Sequence, residues 1–234
     1  MKKTKKFQKI PEVVLIFAHK LRDPISALKG YIEILLSQEM GPLTLQQREY
    51  LEDALSILQR LDKTVDDFFR ASRLETDYFE LHPQKIKLEK LVQEIIQDFS
   101  AWAKAHNCQI IFEKEENLPL VFVDPLRIRE VIESLLSNAI KYSDKGGKII
   151  IKIFKKNNEL VFECQDFGIG ISENERSKLF EKFFRSEKAI ALNPEGSGLG
   201  LFVAKKIIEL SGGKIWYEPN KPKGSIFAFS LPVK

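Results

Sequence analysis

The sequence predicts an α+β protein in two parts, a helical hairpin over residues 1–75 and an α/β sandwich over residues 85–234, joined by a linker at 76–84. Up to position 69, apolar residues recur at spacings of three and four, the pattern of helices that pack on helices. Beyond position 85, helical periodicity alternates with short strand-like runs, which predicts helices on one face of a mixed sheet. The segment between the two parts is polar and contains proline, as interdomain linkers commonly do.

The first helix is expected over residues 11–37. Its apolar residues form one stripe, which consists of Val14, Ala18, Leu21, Ile25, Leu28, Ile32 and Leu35. Met40-Gly41-Pro42 follows, and a glycine with a proline beside it ends a helix.

The second helix is expected to begin at Thr44-x-x-Gln47, which has the form of a capping box, and to end near Glu75. Its stripe consists of Leu51, Ala54, Leu55, Leu58, Leu61, Val65, Phe68 and Phe69. A single hairpin cannot cover two such stripes by itself. The sequence therefore predicts that two copies of the chain pair in a four-helix bundle.

The second part is expected to contain helices and strands in alternation. Its elements are a strand at Ile86 and Leu88, a helix from Val92 to Trp102, strands at 109–113 and 120–123, a helix from Asp124-Pro125 to Tyr142, strands at 148–154 and 160–165, and a helix that Ser172-x-x-Glu175 opens and that reaches Phe180. Asp124 is a favoured N-cap, and Pro125 is a favoured first helical residue.

The composition is that of a globular protein, with 44% hydrophobic and 30% charged residues, no signal peptide and no apolar run near the ~20 residues that cross a bilayer. Four lysines at the start account for the whole formal net charge of +4; they are Lys2, Lys3, Lys5 and Lys6. The rest of the chain lacks the basic excess of a nucleic-acid-binding domain, so we expect no nucleic-acid partner. Cys108 and Cys164 lie in apolar runs without metal-ligand spacing, which predicts buried free thiols in a reducing cytosol.

Three segments between positions 137 and 201 carry side chains that an ordinary core does not need together. They are Ser137-Asn138-Ala139-Ile140-Lys141-Tyr142, Asp166-Phe167-Gly168-Ile169-Gly170-Ile171 and Gly196-Ser197-Gly198-Leu199-Gly200-Leu201. An amide such as that of Asn138 can bind a hard divalent cation, and Asp166 can accept a hydrogen bond from a flat ligand. The third segment places N–H groups at the mouth of a helix, which favours phosphate. Each segment alone is more often a helix cap, a turn or a flexible loop, so the prediction of a nucleotide site rests on the combination.

In their order and spacing, these segments and the Phe-rich box between them resemble the ATP-binding domain of sensor histidine kinases. This domain has the Bergerat fold, which gyrase-type ATPases share more distantly. The resemblance implies that the chain binds ATP and Mg²⁺. No G-x-x-x-x-G-K-S/T occurs in the sequence, so a P-loop is not predicted.

The resemblance also implies roles for single residues. Asn138 would coordinate Mg²⁺, with Ser134 as a candidate second ligand, and Asp166 would read the exocyclic amine of adenine. The remaining candidates are Lys141 and Arg185 for the phosphates, Tyr142 for the wall of the site, Gly168 and Gly170 beneath the base, and Gly196, Gly198, Leu199 and Gly200 over the phosphates. Most aromatic residues spaced as in Phe180-x-x-Phe183-Phe184 are core residues, and here they are expected to support a polar lid at 186–195 as well.

The first helix carries a second resemblance. Phe17-Ala18-His19-Lys20-Leu21-Arg22-Asp23-Pro24-Ile25 resembles the phosphoacceptor box of histidine kinases, usually S-H-E-L-R-T-P-L. His19 lies one residue after a stripe position, so it is expected to point away from the packed stripe. A lone histidine on a helix is more often a plain surface residue. The resemblance implies that His19 accepts the phosphoryl group.

The sequence departs from the family pattern at three positions. Lys20 replaces the acid that takes a proton from the imidazole, and a charged ammonium cannot accept one. Asp23, one helical turn from His19, is our candidate for the missing base. Ser134 stands where the family often has a second Asn, which weakens the expected metal site.

The resemblance implies a protein histidine kinase of a two-component system that phosphorylates His19 and then an aspartate on the receiver domain of a response regulator. The expected location is the cytoplasm, where the chain could be the cytoplasmic part of a membrane-bound sensor. One alternative is a pseudokinase or docking scaffold that binds ATP but transfers poorly, which Lys20 and Ser134 favour. A gyrase-type ATPase or an anti-sigma serine kinase is a further alternative, but neither carries a helical hairpin with an acceptor histidine.

Overall fold

A computed structural model describes residues 12–73, 80–144, 146–194 and 196–233 of the chain. For residues 12–19, Arg70 and Arg73 the description covers the backbone only. The chain divides into two compact units, residues 1–79 and 80–234. The basic N-terminal lysines, most of the expected linker and the side chain of His19 lie outside the described part. Among the described residues, no helix has both the length and the apolar character needed to span a membrane.

The first unit is a helical hairpin made of α1 (Glu12–Leu36) and α2 (Leu45–Arg73). The connection turns at Gln38 and Gly41, which have φ angles of 61° and 121°. The capping box is confirmed. The Thr44 N–H donates to Oε1 of Gln47 over 2.9 Å, and the Gln47 N–H donates to the Thr44 hydroxyl over 3.2 Å. Two N–H groups at the start of α2 thereby gain acceptors.

The hairpin buries only part of its apolar stripes. Ile25, Val65 and Phe69 form a buried cluster, and Leu58 packs against it. Many other large apolar side chains of the hairpin remain exposed; they are Leu21, Leu28, Tyr31, Ile34, Leu35, Met40, Leu45, Tyr50, Ile57, Leu61 and Phe68. One copy of the chain therefore leaves a large apolar surface in water, which is unfavourable for an isolated domain.

The second unit combines helices with a mixed sheet, as predicted. Its helices are α3 (Leu88–Ala105), α4 (Pro125–Tyr142), a 3₁₀ helix (Glu173–Lys178), α5 (Glu187–Leu192) and α6 (Gly200–Leu210). Its strands are β1 (Gln84–Ile86), β2 (Gln109–Lys114), β3 (Val121–Val123), β4 (Lys148–Lys156), β5 (Glu159–Asp166), β6 (Lys214–Pro219) and β7 (Ser225–Pro232). The α+β fold class is thus confirmed.

The main sheet has the order β2-β4-β5-β7-β6, and β1 pairs with β3 in a small separate sheet. β2 runs parallel to β4, and the other neighbours in the main sheet are antiparallel. Alternate residues of β4 are fully buried at Ile149, Ile151 and Ile153, on the face covered by helices. Their partners on β5 include Cys164 and, at the end of the strand, Asp166. The middle strand of the sheet therefore delivers Asp166 to the helical side of the unit.

Two local predictions in the second unit are wrong. Leu88 is not in a strand, because β1 ends at Ile86 and Leu88 begins the buried stripe of α3. Ser172 makes no side-chain cap bond to the 3₁₀ helix. The carboxylate of Glu175 accepts instead from the Glu187 N–H over 2.8 Å, so it ties α5 to the preceding segment. Both cysteines are buried free thiols, as predicted.

Candidate functional site

Asp166 is the buried polar centre of the site, with 4% of its surface exposed. Its Oδ1 accepts hydrogen bonds from the Gly168 N–H over 2.9 Å and from the Ser225 N–H over 3.1 Å. The first donor belongs to the loop after β5, and the second belongs to the first residue of β7. The carboxylate is therefore oriented by backbone groups from two segments, as a group that must select one edge of a ligand requires.

Burial raises the pKa of Asp166 from its usual 3.8 to about 6, because a charged carboxylate is poorly solvated there. The two N–H donors and the Ser225 side chain act in the opposite direction, and the charge of Asp144 adds slightly to the increase. At neutral pH the group is still ionised, so it acts as a hydrogen-bond acceptor. A strongly perturbed carboxyl group at the end of a strand is typical of a functional site.

The loop after Asp166 is joined to the end of α4. The Ile169 N–H donates to the Tyr142 carbonyl over 3.1 Å. A Cβ atom on Gly168 would lie 1.8 Å from that same carbonyl oxygen, so only glycine fits at this position. Gly170 has a φ of 60°, in the left-handed region that glycine adopts readily. The first two sequence segments are thus brought together.

Helix α4 carries four candidate residues along one side. They are Ser134, Asn138, Lys141 and Tyr142, all half-buried, and the spacings in this order are four, three and one. Asp124 begins the helix as predicted, since its carboxylate accepts from the N–H groups of Leu126 and Arg127 over 3.0 and 3.2 Å. The cap and the buried apolar face fix the position of α4, and with it the positions of these four residues.

The third segment meets α4 at the start of α6. A Cβ on Gly200 would lie 2.9 Å from the Ser134 hydroxyl oxygen, so α6 begins directly against α4. Gly198 has a φ of 69°, and a Cβ there would lie within 2.7 Å of the Phe183 backbone. Leu199, at the N-cap position, is buried and supplies no side-chain cap to α6. The first N–H groups of α6 therefore lack a side-chain acceptor from the N-cap, as an anion site at a helix N-terminus requires.

Arg185 does not extend into open solvent. Its Nη1 donates to the Pro194 carbonyl over 2.6 Å and to the Gly196 carbonyl over 3.3 Å, and its Nη2 donates to the Ala189 carbonyl over 3.2 Å. Nη2 also bonds the Asn193 carbonyl. The guanidinium thus donates hydrogen bonds to carbonyl groups of α5 and of the segment from α5 to the first of the glycines.

The expected lid at 186–195 is not a continuous loop. Residues 187–192 form α5, because Ser186 caps it by accepting from the Ala189 N–H over 3.2 Å and the next six residues include good helix formers. Glu195 lies outside the described residues. In the Phe-rich box, Phe183 is 58% exposed with a φ of 62°, so it is not the core residue that its spacing suggested.

Sequence reasoning missed the part of the site that β6, β7 and their connecting turn supply. Ser225 bonds the Asp166 carboxylate, and Asn220 bonds the Asp166 carbonyl over 2.8 Å. The available signal was Gly224, followed by a run of apolar residues that reads as a strand. Nothing local indicated that this strand would lie beside β5.

The donors present fit a magnesium ion held mainly by phosphate and water. Within the described ranges, no three His, Cys, Asp or Glu side chains are grouped to hold a metal ion. Ser134 and Asn138 lie one helical turn apart and offer a hydroxyl and an amide oxygen. Mg²⁺ commonly retains several waters and binds one or two protein oxygens together with substrate phosphates.

In the hairpin, the described side chains begin just after His19, which lies within α1. Arg22 pairs with Asp66 of α2, and this contact raises the pKa of the guanidinium. Arg22 is thus engaged with the partner helix of the hairpin. Asp23 and Ser26 are exposed on α1.

Family models match both units. The model described as His Kinase A (phospho-acceptor) domain matches residues 12–77. The model described as Histidine kinase-, DNA gyrase B-, and HSP90-like ATPase matches residues 123–234. The two matches occur in the order in which the two units follow each other.

Individual relatives agree with the family models. The chain is 30% identical over 223 residues to the circadian input-output histidine kinase CikA of Synechococcus elongatus, which covers 94% of this chain and 30% of CikA. The chain thus spans about a third of that curated relative. The catalytic domain of histidine kinase ThkA is 31% identical with a TM-score of 0.58, over 65% of this chain and 96% of that domain.

Two further solved structures resemble more of the chain. The complex of ThkA with response regulator protein TrrA has a TM-score of 0.68 and 26% identity, over 96% of this chain and 62% of that one. Full-length ShkA in complex with AMPPNP has a TM-score of 0.81 over 95% of this chain and 46% of that one. At 24% identity, the ShkA match shows a common fold.

Proposed function

The chain belongs to the histidine kinase family, and we propose that it is the catalytic core of a two-component sensor kinase. It transfers the γ-phosphoryl group of ATP to His19 and then passes it to an aspartate of a response regulator. The observation that carries the proposal is the buried Asp166 carboxylate, which faces a glycine-shaped loop next to the helix of Asn138 and the uncapped start of α6. The adenine base would meet Asp166, the metal ion would meet Asn138, and the phosphates would meet the start of α6.

Within this site, Asp166 accepts a hydrogen bond from the exocyclic amine of adenine. Gly168 and Gly170 allow the base to lie against the backbone, and Tyr142 lines the same wall. The phosphates lie at the start of α6, under Gly196, Gly198, Leu199 and Gly200, where helix N–H groups favour negative charge. Lys141 on α4 supplies a positive charge near the phosphates. Arg185 is a second candidate for binding the phosphates, once its guanidinium leaves the carbonyl groups around α5.

Asn138 would hold the magnesium ion on the protein side, with Ser134 as the second oxygen donor. The metal would neutralise charge that develops on the transferred group. The shorter side chain of Ser134 reaches less far than an asparagine, so we expect weaker metal binding than a pair of asparagines gives.

His19 is the acceptor. One imidazole nitrogen attacks the γ-phosphorus, the bond to the β,γ-bridging oxygen breaks, and ADP leaves with that oxygen. The attacking nitrogen needs its lone pair, so the proton must reside on the other nitrogen or be removed from the ring. Asp23, one helical turn along α1, is the candidate for holding that proton, because Lys20 cannot accept it while charged.

The exposed apolar side chains of the hairpin support a homodimer. A second copy of the hairpin would cover them and form a four-helix bundle. We propose domain bounds of 1–75 for the dimerisation and acceptor hairpin, 76–84 for the linker and 85–234 for the ATP-binding domain. Because the acceptor and the nucleotide belong to different domains, the linker must let them meet during transfer.

The second substrate is a receiver domain of a response regulator. The similar kinase ThkA has been solved in complex with response regulator protein TrrA, and the hairpin of this chain is the part that carries the acceptor histidine. We propose that the reaction occurs in the cytoplasm, where ATP is available.

Incubation with γ-labelled ATP and Mg²⁺ tests the proposal. We expect a label that is stable in base, labile in acid and absent from His19→Gln. Asp23→Asn should reduce labelling while nucleotide affinity stays unchanged, and Glu33→Gln, the same change at an exposed carboxylate further along α1, serves as the matched control. A protein that binds ATP but never labels His19 would be a scaffold instead of a kinase. Unchanged labelling in Asp23→Asn would remove Asp23 from the mechanism.

A further inference from the structure

The turn between β6 and β7 is attached to the end of β5. Asn220, at the start of this turn, is buried, since only 7% of its surface is exposed. Its Nδ2 donates to the Asp166 carbonyl over 2.8 Å, and its Oδ1 accepts from the Gln165 side chain over 3.0 Å. The Asn220 N–H closes the turn by donating to the Gly224 carbonyl over 3.2 Å. One side chain thus links the turn to two successive residues of the central strand.

The other end of the same turn contacts Asp166 directly. A Cβ on Gly224 would lie 2.1 Å from the Asp166 carbonyl oxygen, so the turn passes as close to the strand as glycine allows. The next residue, Ser225, donates its N–H to the Asp166 carboxylate over 3.1 Å. The turn therefore holds Asp166 at both its main chain and its side chain.

We propose that Asn220 is a positioning residue for Asp166 and, through it, for recognition of the base; this inference rests on the proposed nucleotide-binding function. Asn220 does not touch the ligand. It fixes the turn so that the Ser225 N–H stays within bonding distance of the carboxylate. The carboxylate is then oriented before the base arrives, and its orientation decides which edge of a purine it accepts.

Because Asn220 bonds the main chain of Asp166, a change at Asn220 can alter the position of the Asp166 carboxylate. Ser225 lies where the turn meets β7, and it pairs with Pro219, the residue before Asn220. If the Asn220 side chain no longer bonds the Asp166 carbonyl, this end of β7 can shift and the Ser225 N–H can move away from the carboxylate. The carboxylate would then keep one backbone donor from Gly168 in place of two. Loss of a donor to a charged acceptor both frees the side chain to rotate and makes its ionised form less favourable.

Other charged groups surround Asp166 and must stay constant in a test. Asp144 follows α4 and pairs with Lys223 of the turn over 2.6 Å. The Cys164 thiol on β5 itself and the Tyr217 phenol on β6 both interact electrostatically with Asp166, and Arg176 lies over the Tyr217 ring. The replacements proposed below leave these five side chains unchanged, and Asn220→Ala separates the loss of the donor from the new charge that Asn220→Asp introduces.

The test compares wild type with Asn220→Ala and Asn220→Asp. Asparagine and aspartate have the same shape, but a carboxylate cannot donate to the Asp166 carbonyl. Asn157→Asp is the matched control, because Asn157 lies in the β4–β5 turn and is exposed. Binding of Mg²⁺ with ATP and with inosine triphosphate is measured from about pH 5 to pH 8. Inosine triphosphate lacks the exocyclic amine that Asp166 is proposed to accept from.

We expect Asn220→Asp to bind ATP about tenfold more weakly at pH 7.5 and to lose most of its preference for ATP over inosine triphosphate. The pH at which ATP binding falls to half on acidification should rise by about half to one unit. Asn220→Ala should behave in the same direction, and Asn157→Asp should match wild type. A loss of affinity that is equal for both nucleotides would indicate a purely structural role and overturn the inference. Unchanged preference and pH dependence would also overturn it. If wild type binds neither nucleotide, the proposed function itself fails.

Discussion

The hydroxyl oxygen of Ser134 lies 2.9 Å from the position that a Cβ atom on Gly200 would occupy. This contact joins the middle of α4 to the first residue of α6. It brings the amide of Asn138, one turn further along α4, into the same region as the glycine segment. Ser134 and Gly200, which are 66 positions apart in the sequence, thereby form one boundary of the site.

Gly200→Ala should destabilise the ATP-binding domain by about 1 to 2 kcal/mol, because the new methyl group overlaps the Ser134 oxygen. Ser134→Ala in the same chain should remove the overlap and restore stability, since alanine is otherwise the better helix residue by about 1 kcal/mol. Thermal unfolding of the nucleotide-free protein measures both effects, with Ser134→Ala alone as the control. If Gly200→Ala unfolds at the wild-type temperature, the two helices are not in the contact described.

Asp166→Asn should abolish ATP binding and yet stabilise the protein above pH 6. The amide oxygen can still accept from Gly168 and Ser225, but the amide nitrogen would face the adenine amine as a second donor. The pKa of Asp166 is raised to about 6 in the folded state against a usual 3.8. The folded protein therefore binds the proton more tightly, and wild type loses stability as pH rises between these values, on the order of 3 kcal/mol in total.

Denaturant unfolding at about pH 4 and at about pH 7.5 tests the sign of this difference. The two proteins should differ by only about 0.5 kcal/mol at the lower pH, where Asp166 is protonated in the folded state and close to half protonated in the unfolded state. At the higher pH the variant should be more stable. A variant that is less stable at pH 7.5 would contradict the burial cost assigned to the carboxylate.

Arg185→Lys should loosen the C-terminal end of α5 and the segment that follows it without unfolding the domain. A lysine ammonium cannot reproduce the planar set of donors that reaches the carbonyl groups of Ala189, Asn193, Pro194 and Gly196. Hydrogen exchange of the amides of residues 190–193 should become at least about fivefold faster, while the unfolding temperature changes little. Lys182→Arg, three positions earlier and exposed, is the control. Unchanged exchange would mean that these bonds do not hold the segment.

The Thr44 and Gln47 pair should show coupled contributions to the hairpin. Each single replacement by alanine should cost about 1 kcal/mol, because each removes the acceptor for one N–H group at the start of α2. The double replacement should cost less than the sum, since each bond helps to position the other residue. Hydrogen exchange of the amides of α2 measures the stability of the hairpin separately from the helices of the other unit. Strictly additive effects would argue against a reciprocal box.

The sequence allowed prediction of features whose cause lies within a few residues. The Thr44 box, the Asp124 cap and the glycines that follow Asp166 all depend on contacts between near neighbours. Ser172 shows the limit of such reasoning, because its pattern matched a capping box while Glu175 found a partner in Glu187. A competing donor twelve residues away was enough to change the outcome.

Contacts between distant segments could not be predicted in this way. Ser225 lies 59 residues after Asp166, and the bond between them exists only because β7 pairs with β5 in the observed register. The four carbonyl partners of Arg185 likewise follow from the path of the chain around α5. The family resemblance named Arg185 as a candidate for the phosphates, but it contained no information about where the side chain lies without them.

The central place of β5 in the sheet has a consequence for how the molecule opens. This strand is bonded on one side to β4 and on the other to β7, so its amides can reach solvent only when the whole sheet comes apart. The segment around α5 belongs to no strand and can open locally. A nucleotide could therefore enter or leave many times during the lifetime of one folded sheet, with the selective end of the pocket intact throughout. Drugs or mutations that change how long a nucleotide stays bound would accordingly act on the segment around α5, and those that change which base is bound would act on the sheet.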